Sequence, residues 1–178
     1  MSVSAAPIMA SMLPLLAGVG YGLAALAYLG LSGLILASWQ RRPHGRLLLV
    51  ASLLSVVWGT LSMLTAWALL PGRLELAVEV MRNGAWLALL FHILRLRRPA
   101  DTPLPAPLRT IRLAGGLLVG GLLLAGLQPF LLPGTPGLPS SVGNLGLVLL
   151  TVMGLVLVEQ VYRGDRPEDR WALKFLCL

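Results

Sequence analysis

One short stretch of the chain, ELAVEVMRN, carries the side chains best suited to chemistry, because it sets three charged residues in an otherwise apolar run. Glu75, Glu79 and Arg82 recur at positions i, i+4 and i+7, which places them on one face of a helix, and Asn83 follows directly. Glu79 and Arg82 are close enough along a helix to form an ion pair. Ionisable groups inside a membrane span are energetically expensive and commonly functional. The pattern therefore predicts a polar face able to sense a ligand or an ion.

A structural interpretation of the same residues stays open. The ion pair would then lock this helix to its neighbours, and the membrane span proper would begin nearer Val80. A second pair, Glu159 and Arg163, stands at i, i+4 in the favourable order. We expect it to mark the cytoplasmic boundary of a span, with a proton relay as the alternative.

Catalytic and metal-binding motifs do not accompany these residues. The two histidines, His44 and His92, lack metal-ligand spacing, and neither has a carboxylate beside it in the sequence. Nucleotide-binding and nucleophile motifs are also absent from the sequence. The single cysteine, Cys177, excludes an internal disulfide framework and a Cys-rich metal site. We therefore predict that the chain has no catalytic, cofactor-binding or metal-binding residues of its own.

The elements that must position the polar face are membrane helices. Of the 178 residues, 57% are hydrophobic and 12% are charged, and the mean hydropathy is +0.83. Soluble domains are about 45–50% apolar and about 25% charged. Because the backbone must satisfy its own hydrogen bonds in lipid, and because the apolar runs are too long for barrel strands, we predict an all-α polytopic transmembrane helix bundle. The five predicted complete spans are Leu15–Trp39, Leu47–Leu70, Leu74–Leu94, Leu113–Leu132 and Val142–Val161.

Charge asymmetry predicts how these spans are oriented. Three, five and four of the fourteen Lys and Arg residues follow the first, third and fifth spans. The positive-inside rule makes those links cytoplasmic and places the N-terminus outside. The net charge of +7 is then a topology signal, and no nucleic-acid partner is expected. The final run, Trp171–Leu178, rises only about 12 Å as a helix, so we expect it to be the incomplete start of a sixth span in a fragment of a longer protein.

Two stretches resemble a known family. They are AVEVMRNGAWLALLFHILR (Ala77–Arg95) and LVEQVYRGDRPEDRWALKFLCL (Leu157–Leu178). Both are similar to the N-terminal membrane region of the PrsK-type sensor histidine kinases of PEP-CTERM/exosortase systems. The second is more specific, since it joins a Glu-Gln-x-Tyr-Arg boundary, a charged loop with proline and a Trp-Ala-x-Lys-Phe-Leu-Cys-Leu helix start. The resemblance covers about 40 residues closely and the other spans only in general character.

The resemblance implies a function for the whole of residues 1–178. This membrane domain would be the sensor and anchor region of a two-component system in the bacterial inner membrane, passing an envelope or membrane signal to a cytoplasmic kinase. A GAF-like domain, a phosphoacceptor helix and an ATP-binding domain would follow Leu178, so ATP, the phosphorelay and enzymatic activity belong to that region. The implied partners are the lipid bilayer, a second copy of the kinase and a cognate response regulator. The alternatives are a small transporter and a scaffold or assembly subunit.

Overall fold

A computed structural model describes residues 6–38, 45–70, 74–96, 106–132 and 139–163, and every regular element in these ranges is helical. The five helices are α1 (Ala6–Ser38), α2 (Arg46–Ala66), α3 (Glu75–Leu96), α4 (Ala106–Leu131) and α5 (Ser140–Arg163). Each contains a segment long and apolar enough to cross a membrane. For the described residues, the prediction of an all-α chain with five helices able to span a membrane is therefore confirmed. The predicted start of a sixth span, Trp171–Leu178, lies outside the described residues.

Two helices begin earlier than the predicted spans. The first, α1, begins at Ala6 rather than Leu15, and α4 begins at Ala106 rather than Leu113. A hydropathy pattern marks where the chain enters hydrocarbon, whereas backbone hydrogen bonds can continue beyond that boundary into the interface. Arg109 of the predicted link therefore lies inside α4.

The end of α2 has a specific backbone cause. The helix ends at Ala66, before the predicted Leu70, because Ala68 adopts a left-handed conformation with φ of 54°. The Leu69 N–H donates to the Leu64 carbonyl at 2.9 Å, and the Ala68 N–H donates to the carbonyl of the residue three positions before it. This is the hydrogen-bond pattern of a Schellman motif, with alanine in the position that glycine usually occupies.

The contacts between helices show an up-and-down bundle with α3 at its centre, packed against α2, α4 and α5. Gly126 of α4 lies against Ala77 near the start of α3, whereas Val119 lies against Gly84 further along, so α3 and α4 run antiparallel. The contacts of the α5 glycines with α3 show in the same way that these two helices run parallel. α3 therefore has neighbouring helices on three sides.

The described arginines are concentrated at one end of this bundle. We call the end where α1, α3 and α5 begin the Glu75 end, and the end where they finish the Arg163 end. Of the six arginines in the described ranges, only Arg82 lies towards the Glu75 end. The helical arrangement thus brings together basic residues that are far apart in the sequence: Arg46, Arg95, Arg109, Arg112 and Arg163.

Two kinds of packing hold the helices together. Around α3, α4 and α5 the core is made of large apolar side chains: Val80, Leu87, Leu94, Leu108, Leu122, Leu150 and Leu157. Between α1 and α2 the contact is made by small residues, because α2 buries Ser52, Ser55, Gly59 and Ser62 along one side. Small residues let helix backbones approach closely, as membrane helices require.

Candidate functional site

The guanidinium of Arg82 is packed on an aromatic ring of a neighbouring helix. Its Cζ lies 3.7 Å from the ring centroid of Trp58 on α2. Trp58 in turn makes an edge-to-face contact with Tyr21 of α1, with ring centroids 5.4 Å apart. A cation over an indole face contributes about 0.5–2 kcal/mol, more when the contact is shielded from water. The predicted polar face is thus anchored to α1 and α2 through Trp58.

The polar contacts of Arg82 are few and long. Its Nη2 lies 3.9 Å from Glu79 Oε1 and donates to Asn83 Oδ1 at 3.3 Å. The side chains of Arg82 and Glu79 remain 19% and 28% exposed. Glu75 is half-buried and forms no ion pair within the described residues. The structure therefore brings together three of the four residues predicted for this face and leaves Glu75 apart.

A second aromatic residue of α3 ties the site to α2. Trp86 Nε1 donates to Ser55 Oγ at 3.1 Å, and Ser55 itself donates to the Ala51 carbonyl at 2.8 Å. The Trp86 ring also packs against Tyr28 of α1, with centroids 6.3 Å apart. We define the Arg82 cluster as Tyr28, Trp58, Glu79, Arg82 and Asn83.

The Arg82 cluster borders a cleft of about 510 Å³ between α1, α3 and α5. Tyr28, Arg82 and Asn83 line it on one side, and no hydrogen bond to the Tyr28 hydroxyl or from the Asn83 amide nitrogen forms within the described ranges. The rest of the lining is mostly apolar and includes Leu87, Leu90, Leu150, Leu155 and Val158. We call this space the α1–α5 cleft. It combines unused hydrogen-bond donors with an apolar wall.

No family model, no curated protein and no solved structure matches the chain.

The second predicted ion pair lies in the last turns of α5, at the opposite end of the bundle from Glu75. Arg163 Nη2 is 2.6 Å from Glu159 Oε1, and the two side chains are 72% and 52% exposed. Exposed i, i+4 pairs contribute only about 0.3–0.5 kcal/mol. This location suits the boundary interpretation, because the pair closes the last turns of α5.

Metal chemistry has no centre in the described ranges, where no three His, Cys, Asp or Glu side chains come together. His92 is partly buried in α3, and His44 lies outside the described residues. A second cleft of about 360 Å³, between α2, α3 and α4, is almost wholly apolar apart from Arg112. The Arg82 guanidinium at the α1–α5 cleft is instead the kind of group whose geometry matches carboxylate and phosphate anions.

Sequence reasoning missed several residues of this site. Tyr28, Ser55, Trp58 and Trp86 have no feature in the sequence that distinguishes them from ordinary residues of a membrane helix. The available signal was the run of small residues on α2, where Ser52, Ser55 and Gly59 recur at helical spacing and so define one buried side. That spacing indicates a close helix contact, but it does not reveal which aromatic residue would meet Arg82.

Proposed function

We propose that this chain is the membrane-embedded sensor and anchor region of a PrsK-type two-component histidine kinase, with the Arg82 cluster as its input site. One observation carries the proposal. Arg82 lies within a helix long and apolar enough to span a membrane, and its carboxylate partner in the described ranges is 3.9 Å away, beside an open cleft.

The two ion pairs of the bundle support an input role over a structural lock. A structural pair in low-polarity surroundings is stabilising only with short, well-aligned hydrogen bonds, because desolvation of the charges must be offset. Yet the exposed pair, Glu159 and Arg163, is the short one at 2.6 Å, and the pair on α3 is the long one. Stacking on Trp58 offsets part of the desolvation of Arg82, while hydrogen-bonding capacity is left for a ligand.

A route for the signal follows from the position of the cleft. Leu150, Thr151 and Gly154 of α5 form one wall, and α3 forms the floor. A ligand that favours one spacing of α5 and α3 would shift the balance between two bundle states, which is what sensing requires thermodynamically. In the predicted orientation, with the N-terminus outside the bacterial inner membrane, α5 leads into the cytoplasmic segment that carries the kinase resemblance.

A transporter is the less supported alternative. Apart from Arg82 of α3, the middle third of each of the five described helices lacks charged side chains, so no chain of charged groups crosses the described part of the bundle. Ion and proton pathways in membranes are usually marked by such groups. A scaffold or assembly subunit is the remaining alternative, and phosphorylation separates it from a kinase.

The first test reads the gene beyond Leu178 and assays the full-length product. The proposal requires a GAF-like domain and a kinase region in that frame, and a stop codon directly after Leu178 would refute it. In membranes supplied with labelled ATP, we expect Glu79→Gln combined with Arg82→Gln to change autophosphorylation about threefold or more, equivalent to about 0.7 kcal/mol in the balance of states.

The matched control removes the other ion pair. Glu159→Gln combined with Arg163→Gln makes the same charge change in an exposed pair, and its autophosphorylation should stay at the wild-type level. Circular dichroism of both purified variants confirms that the bundle is folded. Wild-type output from a folded, inserted Glu79/Arg82 variant would eliminate the input role.

A further inference from the structure

We propose that the α1–α5 cleft binds an amphiphile with one anionic headgroup, a phosphate or carboxylate, and an acyl chain. The headgroup lies on Arg82, Asn83 and Tyr28, and the chain lies along the apolar wall of α5. The role of this amphiphile as a signal rests on the proposed kinase function, whereas its binding is measured independently of that function. Neither the family resemblance nor the predicted input role specifies this chemical class.

The headgroup site is defined by donors that the bundle leaves unused. The described contacts of Arg82 engage only Nη2, so Nη1 and Nε keep three N–H donors between them. The Asn83 amide nitrogen and the Tyr28 hydroxyl line the same cleft. Among the described residues that line the cleft, Arg82 is the only charged one, since neither Glu75 nor Glu79 lines it. Free donors on a guanidinium favour an anion, because the guanidinium matches phosphate and carboxylate geometry.

The apolar part of the cleft has the shape of an acyl-chain site. From Arg82 to Leu90 the floor extends eight residues along α3, or about 12 Å. Gly154 leaves space on the α5 side of the cleft because it has no side chain. A Cβ there would meet only a Leu87 methyl group, at 3.9 Å. Leu155 and Val158 on the same wall are exposed, so the cleft is open on the side that faces lipid.

The depth of Arg82 is compatible with a headgroup supplied by the surrounding bilayer. Its Cα lies seven residues after Glu75, about 10 Å along α3. Helical side chains point towards the N-terminus of their helix, and the contact with Glu79 shows that Arg82 does so. The guanidinium therefore reaches back towards the Glu75 end, where headgroups lie, as long basic side chains do near membrane interfaces.

The test is lipid retention by the purified full-length protein, measured by native mass spectrometry after release from nanodiscs. One arm uses an equal mixture of phosphatidylglycerol and phosphatidylcholine. A second arm adds dodecanoate to nanodiscs of phosphatidylcholine alone. We expect one anionic ligand to be retained in preference to phosphatidylcholine. Arg82→Gln should weaken that retention about tenfold or more, the loss expected for a charge-assisted contact.

Two glycine variants separate a filled cleft from a misfolded protein. Gly154→Leu fills the cleft and keeps the Arg82 cluster intact, so it should also abolish retention. Gly120→Leu is the matched control, because a Cβ on this α4 glycine meets nothing within 4 Å, and its retention should equal that of the wild type.

The outcomes are decisive in each arm. Phosphatidylglycerol retention identifies a bilayer lipid as the source, and dodecanoate retention alone identifies a free fatty acid; both support the site. Equal retention of phosphatidylcholine, or full retention by Arg82→Gln and Gly154→Leu, overturns it. If no anionic ligand is selectively retained but autophosphorylation still changes in the Glu79/Arg82 variant, only the ligand class is rejected. If an anionic ligand is retained but the protein has no kinase activity, only the proposed function is rejected.

Discussion

Ser52 and Ser55 are both fully buried on α2, yet only Ser55 forms a hydrogen bond to another helix within the described residues. Ser55 Oγ accepts from Trp86 of α3 and donates to the Ala51 carbonyl. Ser52 Oγ has no hydrogen-bond partner within the described residues. The same type of side chain in the same helix thus has two roles. One serine links α2 to α3 beside the Arg82 cluster, and the other is small enough to allow close packing.

This difference predicts opposite effects of the same substitution. Ser55→Ala should lower the free energy of unfolding by about 0.5–2 kcal/mol, because the Trp86 N–H loses its acceptor in a site without water. Ser52→Ala should leave stability unchanged or raise it slightly, because no bond is lost and a buried polar atom is removed. Denaturation in mixed micelles, followed by circular dichroism, measures both. Equal losses in the two variants would contradict the assigned hydrogen bond.

The charged residues of the site were predictable, whereas their partners were not. Glu79, Arg82 and Asn83 stand out in the sequence because charge inside an apolar run is costly and therefore conspicuous. Trp58 and Tyr28 look like ordinary membrane aromatics, since their contacts with the site depend on how α1, α2 and α3 meet. That arrangement is set by packing across the whole bundle, which no local pattern encodes.

At the scale of helices, the glycines of the bundle divide into those that touch a neighbour and those that do not. Gly116 and Gly120 of α4 have the four-residue spacing that favours close helix packing, yet a Cβ on either meets nothing within 4 Å. Gly59 of α2 has a serine rather than a glycine four residues away, yet it lies directly against α1. Spacing therefore indicates where a close approach is allowed, and only the structure shows where it occurs.

The contact at Gly59 predicts a strong effect of side-chain size. A Cβ there would lie 3.1 Å from both the Tyr21 carbonyl and the Ala25 Cβ, so Gly59→Val must push α1 away from α2. Overpacking of this kind costs about 1–3 kcal/mol of unfolding free energy. Gly30→Val is the matched control on α1, because its Cβ would meet nothing within 4 Å. Thermal unfolding in detergent compares them, and equal melting temperatures would show that the α1–α2 contact is not as close as the structure has it.

At the scale of the whole molecule, the number of spans and the charge asymmetry were readable from the sequence for physical reasons. Hydrocarbon thickness fixes how long an apolar run must be, and short links force consecutive spans to reverse direction. The central place of α3 was not readable, because it depends on which helix faces are complementary. The structure adds that five of the six described arginines share one end of the bundle, the end that the positive-inside rule predicts to be cytoplasmic.

That orientation gives the prediction on which the kinase proposal depends most. With Cys177 replaced by serine, Leu132→Cys and Leu96→Cys each place one cysteine at an exposed position, at the Glu75 end and the Arg163 end respectively. A membrane-impermeant maleimide should label the Leu132 position in intact spheroplasts and the Leu96 position only after the membrane is opened. The reverse pattern would put the end of α5 outside the cell, away from ATP. The predicted sixth span would need a seventh to return the chain to the side on which α5 ends, so a kinase placed after them would also be excluded from the cytoplasm.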